Sequence, residues 1–160
     1  MVTGECLTHT RNQTHNMPGK VMQIPAKEPT IIAPCGINCS LCRAYIRDRH
    51  PCPGCRGGNG NKSDACLTCA VKNCEELNAG GHQFCHACSK FPCAELLRLD
   101  KRYRTRYGVS VIVNLERIQA VGVEFFVVEE TAKWSCPKCG SLLCMHKPEC
   151  VNCGHTWNDK

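Results

Sequence analysis

Apolar residues recur at helical spacing in the second half of the chain, beginning after Pro92. Proline is favoured at the start of a helix, so "CAELLRLDKRYRTRYG" predicts an amphipathic helix that ends at Gly108. The apolar stripe of this helix consists of Leu96, Leu99, Tyr103 and Tyr107. The pattern places most basic residues on the opposite side, namely Arg98, Lys101, Arg102 and Arg106. We therefore expect one face to pack against the protein and the other to meet solvent.

A second helix is predicted from Ser110, as its N-cap, to Ala120, with Gly122 closing it. The residues expected to be buried along it are Val111, Ile112, Leu115 and Ile118. The next segment, 123–133, is ambiguous because "FFVV" favours a strand by propensity whereas "EETAK" favours a helix. We interpret it as a helix, after which Trp134 opens a separate C-terminal module.

The first ninety residues lack this periodicity. Residues 1–30 are polar and show neither a helical nor a strand period, which predicts an irregular or disordered arm. Eleven cysteines lie between residues 35 and 93, interrupted by "RGGNGNKSD" (56–64), whose glycines and asparagines indicate a mobile loop. Such a stretch cannot hold an ordinary hydrophobic core, so we expect short turns and one-turn helices wrapped around metal ions.

Composition supports metal ions rather than disulfides as the stabilising element. Cysteine accounts for 17 of the 160 residues, an odd count, and the first twenty residues contain no apolar export segment. These features favour a reducing cytoplasm, and no apolar run approaches the length of a membrane span. A zinc ion held by four thiolates carries a net charge of about −2, so three such sites would offset the formal charge of +6. The positive charge is therefore weak support for a polyanionic partner.

The strongest sequence signal is a pair of C-x2-C-G motifs, "CPKCG" at 136–140 and "CVNCG" at 150–154. Each motif places two sulfurs on one side of a tight turn, and two such turns complete a tetrahedral site. The spacing predicts a zinc ribbon with the ligands Cys136, Cys139, Cys150 and Cys153. All four positions of the ion would be filled, so the site is expected to staple the fold rather than to catalyse. Cys144 and His146, which lie between the motifs, are interpreted as bystanders.

The central region contains a repeated three-cysteine segment, since the pattern of "CLTCAVKNCEEL" (66–77) recurs in "CHACSKFPCAEL" (85–96). In each repeat a C-x2-C pair is followed by a third thiol at a predicted helix start, where the helix dipole favours thiolate. The predicted central ligands are Cys35, Cys39, Cys42, Cys52, Cys55, Cys66, Cys69, Cys74, Cys85, Cys88 and Cys93. Spacing leaves open two four-thiolate sites, or three sites completed by one histidine, for which His82 and His86 are the candidates.

Cysteine-only sites suit zinc and iron-sulfur clusters alike. The spacing of "CGINCSLC" (35–42) is that of radical SAM enzymes, but this chain has no βα alternation from which to build their barrel. "CPGC" (52–55) precedes a glycine loop rather than a helix in a βαβ unit, which favours a metal knuckle over a redox pair. We expect three to four zinc ions, with an iron-sulfur cluster in the central module as the alternative.

Four segments together, "APCGINCSLCRAYI", "CPGCRG", "CLTCAVKNC" and "FCHACSKFPCAEL", resemble the prokaryotic cysteine-rich family named domain of unknown function 3795. The resemblance covers roughly residues 33–100. It implies a small cytoplasmic protein of bacteria or archaea with a metal-binding character and no established activity. It also implies that the eleven central cysteines occupy the family's cysteine positions. The C-terminal ribbon lies outside this resemblance and rests on its own spacing.

Together these features predict a small metal-stabilised fold, mainly α and irregular, with a C-terminal zinc ribbon. The expected parts are an arm (1–30), a cysteine-rich module with its helix (31–108), a helical linker (109–133) and the ribbon (134–157). We expect a non-enzymatic zinc-binding protein that contacts a protein partner, with iron-sulfur redox or sensing as the alternative. Nucleic-acid binding through the basic helix 94–107 is a weaker alternative, since a solvated helix face whose tyrosines pack inward with the leucine stripe is favoured.

Overall fold

The computed structural model describes residues 28–157, and every structural statement below concerns this range. Most of the arm predicted over 1–30 lies outside the described residues. Within the range the backbone forms short and medium helices, and β-pairing is limited to three isolated bridges. A small, mainly helical fold was predicted, and the structure confirms it.

Six α-helices follow one another along the described chain. They are α1 (Arg43–Ile46), α2 (Asp64–Leu67), α3 (Glu75–Ala79), α4 (Ala94–Tyr107), α5 (Val111–Val121) and α6 (Val123–Lys133). Three single turns of 3-10 helix accompany them, at Pro29–Ile31, Cys39–Leu41 and Cys85–Ala87. None of these helices is long and apolar enough to cross a membrane.

The cysteine-rich region consists of one-turn helices joined by irregular backbone, as predicted. Cysteine occupies the N-cap position of α1 (Cys42), of α3 (Cys74) and of α4 (Cys93). The third thiol of each sequence repeat therefore stands at a helix start, which confirms that part of the prediction. Thiolate at this position is favoured by the free N–H groups of the first helical turn.

The predicted glycine loop is irregular up to Ser63, after which α2 begins at Asp64. Hydrogen bonds donated by Lys62 of the loop and by Arg47 outside it hold the loop against the cysteine module. The Lys62 ammonium donates to the carbonyls of Cys55 (2.9 Å) and Gly57 (2.7 Å), and Arg47 donates to the carbonyl of Asn61 (2.8 Å).

Helix α4 carries the predicted apolar stripe and ends where the sequence indicates. Leu96 and Leu99 are buried, Tyr103 and Tyr107 are half-buried, and Gly108 terminates the helix with a left-handed φ of 67°. The helix runs from Ala94 to Tyr107, which confirms the predicted range 94–107, and Cys93 takes the N-cap conformation. Proline thus lies before the cap rather than in the first turn.

Helices α5 and α6 form a hairpin about Gly122 that packs against α4 and the cysteine module. Ser110 is the N-cap of α5, as predicted, and its Oγ accepts a hydrogen bond from the Val113 N–H (3.2 Å). Segment 123–133 is helical, which confirms the interpretation made against the strand propensity of "FFVV". Ile112 is only half-buried, so that expected core position is wrong.

Two apolar clusters form the core. The larger one joins the cysteine module to the three long helices, and its members include Ile32, Leu96, Val111, Leu115 and Phe126. The smaller one seats the C-terminal module against α4 and the turn at Leu41, and its members include Leu41, Val109, Trp134, Leu143 and Met145. The C-terminal module therefore packs on the rest of the fold.

Candidate metal centres

The C-terminal module contains two turns of nearly identical geometry. In the first, the Gly140 N–H donates to the Cys136 carbonyl (2.8 Å), and in the second the Gly154 N–H donates to the Cys150 carbonyl (2.9 Å). Both glycines are left-handed, with φ of 72° and 71°. This conformation favours glycine, which explains why glycine follows the second cysteine of each pair.

The four thiols of these turns converge on one point. The Sγ atoms of Cys136 and Cys153 lie 3.7 Å apart, as do those of Cys139 and Cys150, and all four lie within 4.8 Å of one another. Tetrahedral zinc with Zn–S bonds of about 2.3 Å has S···S edges of about 3.8 Å. The donor set and its spacing therefore fit a four-thiolate metal ion, and they leave no coordination position open to water.

The hydrogen bonds around these sulfurs favour thiolate. The Asn152 side-chain amide and the Ser141 N–H donate to the Cys139 sulfur and lower the pKa of that thiol to about 5. The His155 N–H donates to the Cys153 sulfur, yet burial and the three neighbouring thiols raise the pKa of Cys153 to about 12. Four thiolates this close repel one another, so full deprotonation requires a cation among them.

Cys144 and His146 lie outside this four-thiol group. Cys144 is fully buried, while the Nδ1 atom of His146 accepts a hydrogen bond from the Arg43 N–H (3.3 Å). The Met145 N–H also donates to the Leu41 carbonyl (2.9 Å). Met145 and His146 of the intervening loop thus hold the C-terminal module against the cysteine module.

The first central cysteine stands in a turn that helix α5 supports. Gly36 has a left-handed φ of 82°, and a Cβ there would lie 3.0 Å from Cγ of Leu115. The buried Asn114 side chain donates to the Gly36 carbonyl (2.9 Å), and the Ile37 N–H donates to the Cys35 sulfur. A helix 75 residues further along the chain therefore fixes this thiol, which no local sequence pattern indicated.

The next pair, Cys39 and Cys42, brackets a 3-10 turn that Asn38 caps. The Asn38 side-chain oxygen accepts hydrogen bonds from the Ser40 N–H (3.0 Å) and the Ser40 hydroxyl (2.7 Å). The Cys55 N–H donates to the Cys39 sulfur (3.3 Å), which brings the "CPGC" segment against this turn. In the same region the Cys52 N–H donates to the Ala44 carbonyl (2.8 Å).

Arg56 joins three segments that each carry a cysteine. It follows Cys55, its Nε donates to the Ile32 carbonyl (2.8 Å), and its Nη2 donates to the Gln83 carbonyl. The guanidinium also lies 4.8 Å from the centre of the Phe84 ring. In the sequence this residue looked like part of a loop, so its bridging role was missed.

A direct backbone contact and an ion pair complete the central arrangement. The Cys85 N–H donates to the Pro34 carbonyl (2.9 Å), which places the second repeat beside the turn of Cys35. Lys90, from the second repeat, pairs with Glu76 of α3, from the first. The two repeats are thereby held side by side.

Burial raises the pKa of five central thiols, and neighbouring thiols raise it further; the five are Cys35, Cys39, Cys42, Cys55 and Cys85. For Cys35 burial is the largest effect, and Cys55, Cys85 and Cys69 add to it. Burial also raises the pKa of Cys39 to about 12, with contributions from Cys55, Cys42 and Cys52. Thiols in this state are poor nucleophiles, so the arrangement does not resemble a reactive-cysteine site.

Two further cysteines show the same behaviour with different neighbours. Burial raises the pKa of Cys42, with smaller contributions from Cys52 and Cys66. Burial also raises the pKa of Cys85 to about 12, and there the contributing thiols are Cys93, Cys74, Cys88 and Cys69. Ionisation of one of these thiols therefore makes ionisation of its neighbours more costly.

Among residues 28–157, the C-terminal group is the set whose metal-binding atoms converge within 4.8 Å. The eleven central thiols are gathered into one region but do not converge that closely. Every cysteine of the described range is free of disulfides. The predicted central ligand set therefore stays a prediction.

Comparison with known proteins gives a family match for the cysteine-rich region. The family model described as "Protein of unknown function (DUF3795)" matches residues 31–98, close to the range expected from the four cysteine segments. No curated protein and no solved structure matches the chain. The likeness to this family of unknown function therefore covers residues 31–98, and the four C-terminal thiols lie outside it.

Proposed function

We propose that this chain is a zinc-dependent interaction module without catalytic activity of its own, in which bound ions take the place of a large hydrophobic core. The observation that carries the proposal is the convergence of four thiols at tetrahedral spacing with no position left for substrate or water. Zinc is the metal that best suits an all-thiolate site with short ligand spacing and a structural role.

The state of the central thiols supports a structural role as well. Burial raises the pKa of Cys35, Cys39 and Cys85, so without metal these groups are neutral and unreactive at physiological pH. Buried thiols of this kind become thiolates only when a cation compensates their charge. Metal binding and folding are therefore expected to be coupled in the central module.

The proposed partner is a protein rather than a nucleic acid. On the basic face of α4, Arg98 pairs with Glu95, Arg104 pairs with Asp100, and Arg102 lies 5.9 Å from the Tyr103 ring centre. Side chains held by their own helix favour a solvated surface over a phosphate-binding one. A nucleic-acid role would require salt-dependent affinity that falls when Arg102 and Arg106 are changed to Glu.

The alternative function is iron-sulfur redox or sensing chemistry in the central module. It is motivated by the cluster-like spacing of Cys35, Cys39 and Cys42 and by the large number of central thiols. Protein purified without oxygen would then show visible absorbance that dithionite bleaches. Colourless protein without iron would exclude this alternative.

Stepwise chelation tests the zinc proposal because the chain carries two independent optical probes. Both tryptophans, Trp134 and Trp157, flank the C-terminal thiols and contact each other edge to face, whereas the helical dichroism comes mainly from α4, α5 and α6. Under reducing conditions, removal of all metal should abolish both the helical signal and the native tryptophan emission. Unchanged spectra after complete metal removal would contradict the proposal.

A matched pair of variants separates the C-terminal site from the rest. Cys153→Ser removes one of the four converging thiols, and we expect it to lose one zinc ion and to shift the tryptophan emission to longer wavelength. Cys144→Ser changes a buried cysteine outside the group and should keep the full zinc content. Equal zinc content in the two variants would contradict the assigned ligand set.

A further inference from the structure

The outer side of the hairpin formed by α5 and α6 carries large apolar side chains that the fold does not bury. Phe125 is 71% exposed, Val128 63% and Val113 60%. The exposed apolar residues that lie singly in other parts of the described chain, Leu97 and Val151, are each 49% exposed. Single exposed apolar residues are ordinary on a protein surface, whereas a cluster of them indicates a surface that makes contact.

On α6 these residues form a stripe at helical spacing. Phe125, Val128 and Ala132 stand at positions i, i+3 and i+7 of the helix, and all three are exposed. The opposite side of α6 packs into the larger apolar cluster through Phe126 and Val127. Helix α6 therefore has two apolar sides, of which the fold covers one.

An ion pair joins this stripe to α5. The Arg117 guanidinium donates to both carboxylate oxygens of Glu129, with an Nε···Oε2 distance of 2.8 Å. Glu129 lies one turn after Phe125 on α6, and Arg117 lies one turn after Val113 on α5. Phe125 and Val113 therefore lie on the same outer side of the hairpin as the ion pair. This side is called the hairpin surface, and its apolar members are Val113, Phe125, Val128 and Ala132.

The charge beside the hairpin surface is negative. Helices α5 and α6 contain four carboxylates and two cations, although the chain as a whole has a formal charge of +6. Both cations are paired with carboxylates of the same hairpin. The exposed carboxylates of Glu116 and Glu124 have no ion-pair or hydrogen-bond partner among residues 28–157. Unpaired negative charge therefore accompanies the apolar stripe.

This combination limits the partners that fit. Nucleic acids and anionic lipid surfaces are negatively charged, so the carboxylates disfavour them. A twofold contact with a second copy would pair the surface with itself and bring the same carboxylates of both copies together. An amphipathic helix with lysine or arginine beside its own apolar stripe matches both the apolar and the charged part of the surface.

We propose that the hairpin surface binds a basic amphipathic helix of a partner protein. The apolar side chains of that helix pack against Phe125 and Val128, and its cations pair with Glu116 and Glu124. The inference rests on the proposed function, because it names the surface and the kind of partner of the interaction module. Helices α5 and α6 contain no cysteine, so the surface can be altered without changing a metal ligand.

Two synthetic peptides, titrated with the zinc-loaded full chain and followed by fluorescence anisotropy, test the proposal. Each peptide has about 18 residues and leucine at helical spacing, and the residues beside the leucines are lysine in one peptide and glutamate in the other. We expect the lysine peptide to bind at least about tenfold more tightly, with an advantage that falls as salt is added. Equal affinity of the two peptides, or binding of neither, would overturn the proposal.

Two exposed apolar residues provide a matched pair of variants. Phe125→Ser changes the hairpin surface and should weaken binding of the lysine peptide by about tenfold or more. Leu97→Ser changes an exposed residue of α4 and should leave the affinity unchanged. Equal affinity of the two variants would show that the peptide binds elsewhere and would overturn the assigned surface.

Zinc content and oligomeric state separate the remaining outcomes. Both variants should keep the zinc content of the unmodified protein, because neither change touches a cysteine. A fully zinc-loaded chain that ignores the lysine peptide would overturn the hairpin surface alone, whereas a chain that binds no zinc would overturn the proposed function. A dimer in analytical ultracentrifugation that Phe125→Ser dissociates would assign the surface to a second copy and overturn the proposed partner.

Discussion

Gly36 allows the turn that carries Cys35 to pack directly against α5. Its φ of 82° is unfavourable for any residue with a Cβ, and that Cβ would lie 3.0 Å from Leu115 and 3.1 Å from the Val111 carbonyl. The strain and the overpacking each cost about 1–2 kcal/mol. We therefore expect Gly36→Ala to lower the free energy of unfolding of the zinc-loaded protein by about 2 kcal/mol or more, measured by denaturant titration.

Gly58→Ala is the matched control for this change. Gly58 stands in the glycine loop, where an added Cβ would meet nothing within 4 Å. It should leave the free energy of unfolding within about 0.5 kcal/mol of the unmodified protein. Equal effects of the two substitutions would show that the contact between α5 and the Cys35 turn contributes little.

Glu130 is a buried carboxyl group whose charge is costly. Burial raises its pKa above the ordinary 4.5, and the partly compensating Lys133 ammonium lies 3.3 Å away. The folded state therefore binds this proton more tightly than the unfolded state, so its contribution to stability falls as the pH rises through the folded-state pKa. As the pH rises through the folded-state pKa of Glu130, the free energy of unfolding of Glu130→Gln should therefore increase relative to that of the unmodified protein.

Denaturant unfolding of both zinc-loaded proteins, measured across this pH range, provides the check. Loss of zinc in acid affects the two proteins alike, so the difference between them isolates Glu130. A difference that stays constant with pH would show that the carboxyl group titrates normally in the folded protein.

Residue roles that depend on local backbone were predictable, and those that depend on distant partners were not. The left-handed glycines after Cys139 and Cys153 follow from the knuckle motif itself. By contrast, the contacts of Arg56 and Asn114 reach segments 24 or more residues away, and nothing in the adjacent sequence indicates them. Tertiary contacts of this kind leave no periodic signal.

At the scale of elements, the corner between α4 and α5 depends on one buried carboxylate. Asp100 accepts from the Ser110 hydroxyl (2.7 Å) and from the Ile112 N–H (3.3 Å), while Ser110 itself caps α5. We expect Ser110→Ala to cost about 1 kcal/mol of folding free energy. Asp100→Ala should cost more, because it leaves two half-buried donors at the start of α5, the Ser110 hydroxyl and the Ile112 N–H, without their acceptor.

The double variant tests whether the two residues act together. Its cost should be smaller than the sum of the single costs, because both single changes remove the same hydrogen bond. Thr105→Ala is the control, since that exposed hydroxyl donates only to the Lys101 carbonyl of its own helix. Strict additivity of the two single changes would contradict a shared cap.

The three long helices were predictable because their apolar positions recur with the helical period and their ends carry Ser110, Gly108 and Gly122. The one-turn helices were expected as a class but could not be located. A helix of four or five residues, such as α2 or α3, is too short to show a period. Its stability comes from its surroundings rather than from its own sequence.

At the scale of the whole molecule, the proposed metal ions would supply the stability that apolar burial supplies in larger domains. Structural zinc in small modules contributes about 10–16 kcal/mol of binding free energy, which is comparable to the stability of an entire domain. The two apolar clusters join the cysteine-bearing turns to the helices, and the smaller one holds the C-terminal module in place. Folding and metal loading are therefore expected to be a single event.

The C-terminal site was predictable to the residue, since its four ligands come from two motifs with fixed local geometry. The central ligand set was predictable only as a list of eleven thiols. Which of them share an ion depends on contacts such as that between the Cys85 N–H and the Pro34 carbonyl, formed by residues 51 positions apart. Such pairing is a property of the folded chain.

The measurement that tests this account most directly is the metal content of the full chain, purified without oxygen and without added metal. Inductively coupled plasma mass spectrometry should find three to four zinc ions per chain and no iron, and the protein should show no visible absorbance. Iron with a matching amount of sulfide would contradict the zinc account of the central module and leave zinc for the C-terminal site alone.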